Sequence, residues 1–202
     1  MIIETPVLPM SYADIELEML YFLKESYPEN LKKPTKLDVL SLEDHLFGYK
    51  LGLVEQFDDP SILAFTDFDE RTITIPLKDY DVLLSGKNDN RERFTLAHEA
   101  GHILLHREQF ENRRNIAART KIVQMKPYEN PEWQANAASA ALLMPLTLFY
   151  PQYMFLEQKG ISDMVKTSLL ASKFSVSNEA TQYRMDVIKN IKVQALLRRL
   201  GL

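Results

Sequence analysis

The segment RFTLAHEAGHILLH, residues 93–106, places His98 and His102 four positions apart, with Glu99 directly after the first histidine. Apolar residues recur around these three at helical spacing, which predicts a helix from Arg91 to about Leu105. Side chains four residues apart lie one above the other on the same face of a helix. The two imidazoles can therefore converge on one metal ion.

This spacing suits zinc chemistry. Zn²⁺ accepts imidazole nitrogens and binds about four ligands in a tetrahedral array. The sequence contains no cysteine, so any metal must be held by nitrogen and oxygen ligands. Glu99 points beside the ion rather than at it, where it can take a proton from the attacking water and return it to a leaving amine. We therefore predict that His98 and His102 bind zinc and that Glu99 is the catalytic base.

His106 lies one further helical step past His102. On a continuous helix it is separated from His98 by about 12 Å along the axis, at 1.5 Å per residue. These two histidines cannot share an ion that His102 binds between them. His106 is predicted to lie at the helix end or behind a ligand.

Glu132 is a better third ligand. It falls in the first turn of a helix that Asn130-Pro131 is predicted to start, with the asparagine as cap and the proline at the first helical position. Asn136 shares its face and can hydrogen-bond a ligand histidine from behind. An acid in a first turn is, however, favoured by the helix dipole alone. Spacing also leaves two other carboxylates open, Glu111 and Glu129.

The rest of the chain predicts an α+β fold. Segments 49–57, 62–66 and 72–76 are strand-like, which predicts a small antiparallel sheet of about three strands packed on the two motif helices. Helices are predicted at 11–27, 37–47 and throughout the region after Leu146, with breaks near Pro151, Gly160 and 175–177. The predicted organisation is a core at 1–145 followed by a helical C-terminal subdomain at 146–202.

Composition narrows the class of protein. The formal net charge is −4 over 202 residues, which argues against a domain whose main role is to bind nucleic acid. The first residues lack the basic start and apolar core of a secretion signal. No apolar run approaches the roughly 18 residues of a membrane span. We predict a cytoplasmic protein without a membrane partner; the oligomeric state is left open.

Residues 93–106 resemble the active-site helix of the ImmA/IrrE family of metallopeptidases. The run EWQAN at 132–136, continuing to AALLMP at 140–145, resembles that family's second motif, and the resemblance covers most of residues 35–190. It implies a gluzincin-like zinc site with Glu132 as third ligand. It also implies an intracellular endopeptidase whose substrate is a helix-turn-helix transcriptional repressor of a mobile element, phage or stress regulon.

A basic connection separates the two motifs. Its cations are Arg107, Arg113, Arg114, Arg119, Lys121 and Lys126. A loop of this kind can recruit an acidic protein surface, but the same charges suit an ordinary solvated loop.

Residues 169–190 read like a helix-turn-helix, in which Thr181, Gln182 and Arg184 would face a DNA groove. Glu179 and Asp186 flank that surface and oppose the interpretation. The alternative hypothesis for the whole chain follows from this segment: a non-catalytic zinc-site protein that binds a repressor or DNA.

Overall fold

The computed structural model describes residues 6–111 and 126–202, which divide into two compact units. One unit contains residues 6–10 and the described residues between Val39 and Asn136; the other contains Ser11–Asp38 and Ala137–Leu202. This division differs from a boundary at 145, because the N-terminal helix belongs with the C-terminal helices. The sequence pattern showed that helix to be amphipathic but did not show what its apolar stripe packs against.

The first unit contains a three-stranded sheet of β1 (Lys50–Val54), β2 (Phe65–Asp67) and β3 (Thr72–Pro76). The strand order is β1-β3-β2, with β2 antiparallel and β1 parallel to β3. The α+β class is confirmed, but the wholly antiparallel sheet is wrong. Alternation assigns the faces of a strand and not its neighbours, and the connection at 55–64 lets β3 fill the central position.

Two features stabilise the sheet: the close approach of strands β1 and β3 at Gly52, and the burial of one face of β3. Gly52 of β1 is opposite Thr74 of β3, where a Cβ atom would lie 3.2 Å from the threonine Oγ1. Ile73 and Ile75 alternate with threonines along β3 and are buried. They share the core of this unit with other large apolar side chains, among them Leu42, Leu46, Tyr49, Leu96 and Ile103.

Three helices complete the first unit. Helix α2 (Leu77–Ser85) ends at Gly86, whose φ of 64° is left-handed, and α3 (Asn90–Glu111) contacts both α2 and β2. Helix α4 (Pro131–Leu143) begins where predicted, because Asn130 Oδ1 accepts the Glu132 N–H at 2.8 Å. The helix predicted at 37–47 is instead a 3-10 turn over Leu40–His45.

The second unit is helical. Its elements are α1 (Tyr12–Ser26), the end of α4, α5 (Leu146–Gln158), α6 (Asp163–Phe174), α7 (Asn178–Ile188) and α8 (Ile191–Arg199). Ser11 caps α1 and α1 contacts α8. The break predicted at Pro151 is wrong, because α5 continues through it while Phe149 and Tyr153 bury on either side. Among the described helices, none is both long and apolar enough to cross a membrane.

Candidate metal centre

Three side chains converge in the first unit. Helix α3 presents His98 and His102 from one face, and the first turn of α4 presents Glu132. Their ligand atoms all lie within 4.8 Å of one another. The two Nε2 atoms are 3.0 Å apart, and the glutamate oxygens lie 3.2 Å from His98 Nε2 and 3.5 Å from His102 Nε2.

These separations fit a tetrahedral metal. With metal–nitrogen distances near 2.1 Å, neighbouring ligand atoms of a tetrahedral zinc site lie about 3.4 Å apart. The three measured separations, 3.0, 3.2 and 3.5 Å, bracket that value. Glu132 Oε1 is moreover buried with no hydrogen-bond partner among the described residues. A buried carboxylate oxygen without a partner is costly unless a cation neutralises it, so these residues fit a metal ion.

The electrostatics of His98 and Glu132 favour positive charge between them. Burial works to lower the pKa of His98, but the hydrogen bond to Glu132 and the charges of Glu99 and Glu132 outweigh it and raise the pKa overall. Burial works to raise the pKa of Glu132, but its contacts with His102 and His98 leave that pKa well below its ordinary value. A divalent cation supplies the charge that this arrangement favours.

Glu99 directly follows His98 in the sequence, and a hydrogen bond from strand β2 orients its side chain. Its carboxylate Oε2 accepts a hydrogen bond of 2.5 Å from the Thr66 hydroxyl, and Thr66 is in the middle of β2. Glu99 remains partly exposed, whereas Thr66 is buried. The Thr66 hydroxyl therefore fixes one oxygen of a carboxylate whose charge acts on His98, and the side chain can still reach solvent. Thr66 could not be picked out beforehand, because nothing in the sequence shows which strand residue meets α3.

The two histidines of the cluster are supported differently. Asn136 is exposed, and its Oδ1 lies 3.0 Å from His98 Nδ1, as its place on the face of Glu132 suggested. His102 Nδ1 instead lies 3.2 Å from Nδ1 of His106, which is buried. His106 Nε2 in turn lies 3.0 Å from Gln134 Oε1.

His106 and Gln134 form a polar pair inside the first unit. Burial, together with the charge on His102, lowers the pKa of His106 to about 4. Sequence reasoning left His106 either at the helix end or behind a ligand, and it missed Gln134; the structure places His106 behind His102. The available signal was a glutamine two residues after Glu132 in an alanine- and leucine-rich helix, where a buried amide must find partners.

Residues 66–186, more than half of the chain, match the family described as the IrrE N-terminal-like domain, Peptidase_M78. The chain belongs to this family. As a metallopeptidase family it implies a bound metal, and the His98, His102 and Glu132 cluster lies within the matched residues.

Similar folds occur among solved structures. The chain matches one described as a Mycobacterium tuberculosis transcriptional regulator, with 15% sequence identity and a TM-score of 0.54. The match covers 91% of this chain and 53% of the regulator, so the chain spans about half of that protein's length. At this identity the likeness shows the fold alone. Curated proteins give no match.

The other carboxylates that spacing had left open are engaged elsewhere in this Peptidase_M78 member. Glu111 accepts hydrogen bonds from the Tyr49 hydroxyl and from Arg71. The carboxylate of Glu129 accepts the Lys126 backbone N–H at 3.1 Å. Neither belongs to the cluster around Glu132.

The helix-turn-helix resemblance is carried by α6 and α7 in the second unit. Thr181 and Arg184 are fully buried there, so of the three residues predicted to face DNA only Gln182 is exposed. The exposed face of α7 also carries Glu179 and Asp186. This surface does not have the charge of a DNA reader. Four cations of the basic connection, Arg113, Arg114, Arg119 and Lys121, lie outside the described residues.

Proposed function

We propose that the chain is a zinc-dependent endopeptidase that hydrolyses a peptide bond in a protein substrate. The observation that carries the proposal is the set of three ligand atoms at tetrahedral spacing. Glu99 follows the first of these residues, its charge acts on His98, and Thr66 orients its carboxylate. When bound, zinc lowers the pKa of a water molecule and polarises the substrate carbonyl. His98, His102 and Glu132 would hold the ion.

Glu99 is the proton carrier in this proposal. Its carboxylate takes a proton from the attacking water and delivers it to the nitrogen of the leaving amine as the C–N bond breaks. The Thr66 hydroxyl fixes one carboxylate oxygen, which leaves the other oriented for proton transfer. A general base of this kind contributes roughly 10²–10⁴-fold to the rate.

The edge of the sheet offers a place for the substrate chain. Strand β2 lies at one end of the strand order and, among the described residues, pairs only with β3. Thr66 of β2 contacts Glu99, so this edge strand lies beside the proposed proton carrier. An extended peptide can add to such an edge through backbone hydrogen bonds, which holds a scissile bond in a defined register.

We further propose that the substrate is a helix-turn-helix transcriptional repressor of a mobile element, phage or stress regulon, and that the reaction takes place in the cytoplasm. The support is the resemblance to the ImmA/IrrE family. A protein of similar fold that is described as a transcriptional regulator also connects this fold with control of transcription. The alternative, a non-catalytic protein that binds a repressor or DNA, gains no support from the exposed face of α7.

The test compares protein N-termini in host cells that express wild type, Glu99→Gln or Glu108→Gln, at rest and under induced stress. Glu108 is an exposed glutamate on the same helix, so it provides a matched control. The purified variants are first shown to contain equal zinc. New N-termini with wild type and Glu108→Gln, but not with Glu99→Gln, are the expected result and would identify the substrate. Identical profiles for all three would favour the binding protein.

A further inference from the structure

A continuous hydrogen-bonded path runs from the metal site to the protein backbone. It begins at His102, passes through His106 and Gln134, and ends at the carbonyl oxygens of Leu8 and Tyr128. His106 and Gln134 are 1% and 0% exposed, so water does not compete for these contacts. We refer to His106, Gln134 and the two carbonyls as the relay.

The direction of the Gln134 amide is set by the two carbonyls. Gln134 Nε2 lies 2.8 Å from the oxygens of both Leu8 and Tyr128, which uses both of its N–H groups. The reversed amide would place its oxygen against two carbonyl oxygens. The Gln134 oxygen must therefore face His106, where it can only accept a hydrogen bond.

The direction of the amide then decides both histidine tautomers. Because Gln134 Oε1 accepts, His106 must carry its proton on Nε2. A neutral imidazole in this buried position leaves His106 Nδ1 as an acceptor, so His102 must donate from Nδ1. His102 Nε2 is then left with a free lone pair, and this is the atom that faces His98 Nε2 and Glu132.

We propose that the relay is a positioning device that holds His102 in the one tautomer and orientation able to bind the metal. The proposal rests on the metal-binding part of the function proposed above and is independent of catalysis. The orientation of His98 is less strongly fixed, since its partner Asn136 is exposed and water can replace the Asn136 amide. His102 is therefore the more strongly preorganised ligand.

The N-terminal segment supplies one of the two carbonyls of the relay, that of Leu8. Gln109, one helical turn beyond His106 on α3, accepts the Leu8 N–H at 3.1 Å and donates to the Pro6 carbonyl at 3.1 Å. The N–H groups of Val7 and Met10 reach the carbonyls of Glu129 and Tyr128, both at 3.0 Å. The Leu8 carbonyl is thus held in place for Gln134, and a segment far from His102 in sequence helps to orient it.

The direct test reads the tautomers of the wild-type protein by NMR of ¹⁵N-labelled histidine, in the metal-free and zinc-loaded states. The expected result is a proton on Nε2 of His106 in both states, and a proton on Nδ1 of His102 with zinc bound through Nε2. A proton on Nδ1 of His106, or zinc bound through Nδ1 of His102, would overturn the proposal. This measurement needs no variant to fold.

The second test measures zinc affinity by competition with a chromogenic chelator. His106→Phe keeps an aromatic ring beside Phe110 but removes the acceptor for His102 and the donor for Gln134. We expect the zinc dissociation constant to rise about 10–100-fold, the usual effect of losing a group that orients a metal ligand. His45→Phe, the same change at an exposed histidine, should leave it unaltered.

The outcomes separate the two proposals. If wild type binds zinc tightly and His106→Phe binds it equally well, the relay is refuted while the metalloenzyme proposal stands. If wild type itself does not bind zinc, the proposed function fails, whereas the His106 tautomer in the metal-free protein still decides whether the relay exists.

Discussion

Glu16 and Arg184 form a buried ion pair in the second unit, and we predict that removing either charge alone strongly destabilises the protein. Arg184 is 0% exposed and Glu16 is 4% exposed. The guanidinium reaches both carboxylate oxygens, one of them from Nη2 at 2.9 Å, and also donates to the Met144 carbonyl from Nε and Nη2 at 3.0 and 2.8 Å. The pair therefore joins α1 to α7 and to the end of α4.

The magnitude follows from these contacts. Glu16→Met strands the buried guanidinium, and Arg184→Met strands the buried carboxylate, each of which should cost about 3–5 kcal/mol. The double variant leaves no buried charge. It still loses the two hydrogen bonds to the Met144 carbonyl, which should lower the free energy of unfolding by about 1–3 kcal/mol. We thus expect the double variant to be more stable than either single variant.

The assay is urea unfolding followed by circular dichroism, with slopes compared so that only changes in midpoint are interpreted. Asp186→Asn is the matched control, because Asp186 and Lys189 form an exposed pair at 3.6 Å that should contribute at most about 1 kcal/mol. Additive losses in the double variant, or single losses no larger than the control, would refute the reasoning.

Three other predictions concern single contacts. Thr66→Val should lower the turnover rate about tenfold at unchanged zinc content, because Glu99 loses the hydroxyl donor that orients its carboxylate. Thr66→Ser keeps a hydroxyl and should retain the wild-type rate. Equal rates for wild type and both variants would exclude a role of Thr66 in orienting Glu99. Asn136→Ala should raise the zinc dissociation constant less than tenfold, since water can replace an exposed amide. A larger increase than that caused by His106→Phe would contradict the inference that His102 is more strongly held than His98. Ser11→Ala should cost about 1 kcal/mol near pH 7. The Ser11 hydroxyl also donates to the Asp14 carboxylate and lowers the pKa of Asp14 below 3.8, so this part of the loss is complete above that pH and disappears as pH falls through the lowered pKa. The bond from the Asp14 N–H to Ser11 Oγ does not depend on pH. A difference in denaturant midpoint that does not narrow below about pH 4 would argue against the contribution of the hydroxyl–carboxylate bond.

Local physics explains which features could be read from the sequence. The four-residue spacing of His98 and His102 needs only helical geometry to bring the imidazoles together. The start of α4 follows from an asparagine cap and a proline, which act within one turn. The α+β class likewise follows from the change between helical and strand periodicity along the chain.

Contacts between segments that are distant in the sequence account for the features of the fold that the sequence patterns did not predict. Alternation in β1 and β3 did not specify that they pair in parallel, because pairing depends on where the connection at 55–64 carries the chain. A polar residue within a helix, such as Arg184, can face solvent or a buried partner, and its partner Glu16 lies 168 positions away in the sequence.

The sequence by itself determined the chemistry available to this protein: two histidines on one helix face, a glutamate directly after the first of them, a second helix with Glu132 in its first turn, and no thiolate ligand. Only the tertiary structure decided how those groups are held. It brought the Thr66 hydroxyl to Glu99 and placed the Leu8 and Tyr128 carbonyls around the Gln134 amide. The physical reason is that helix and cap preferences act over a few residues, whereas buried hydrogen bonds are satisfied by whichever groups the fold brings together.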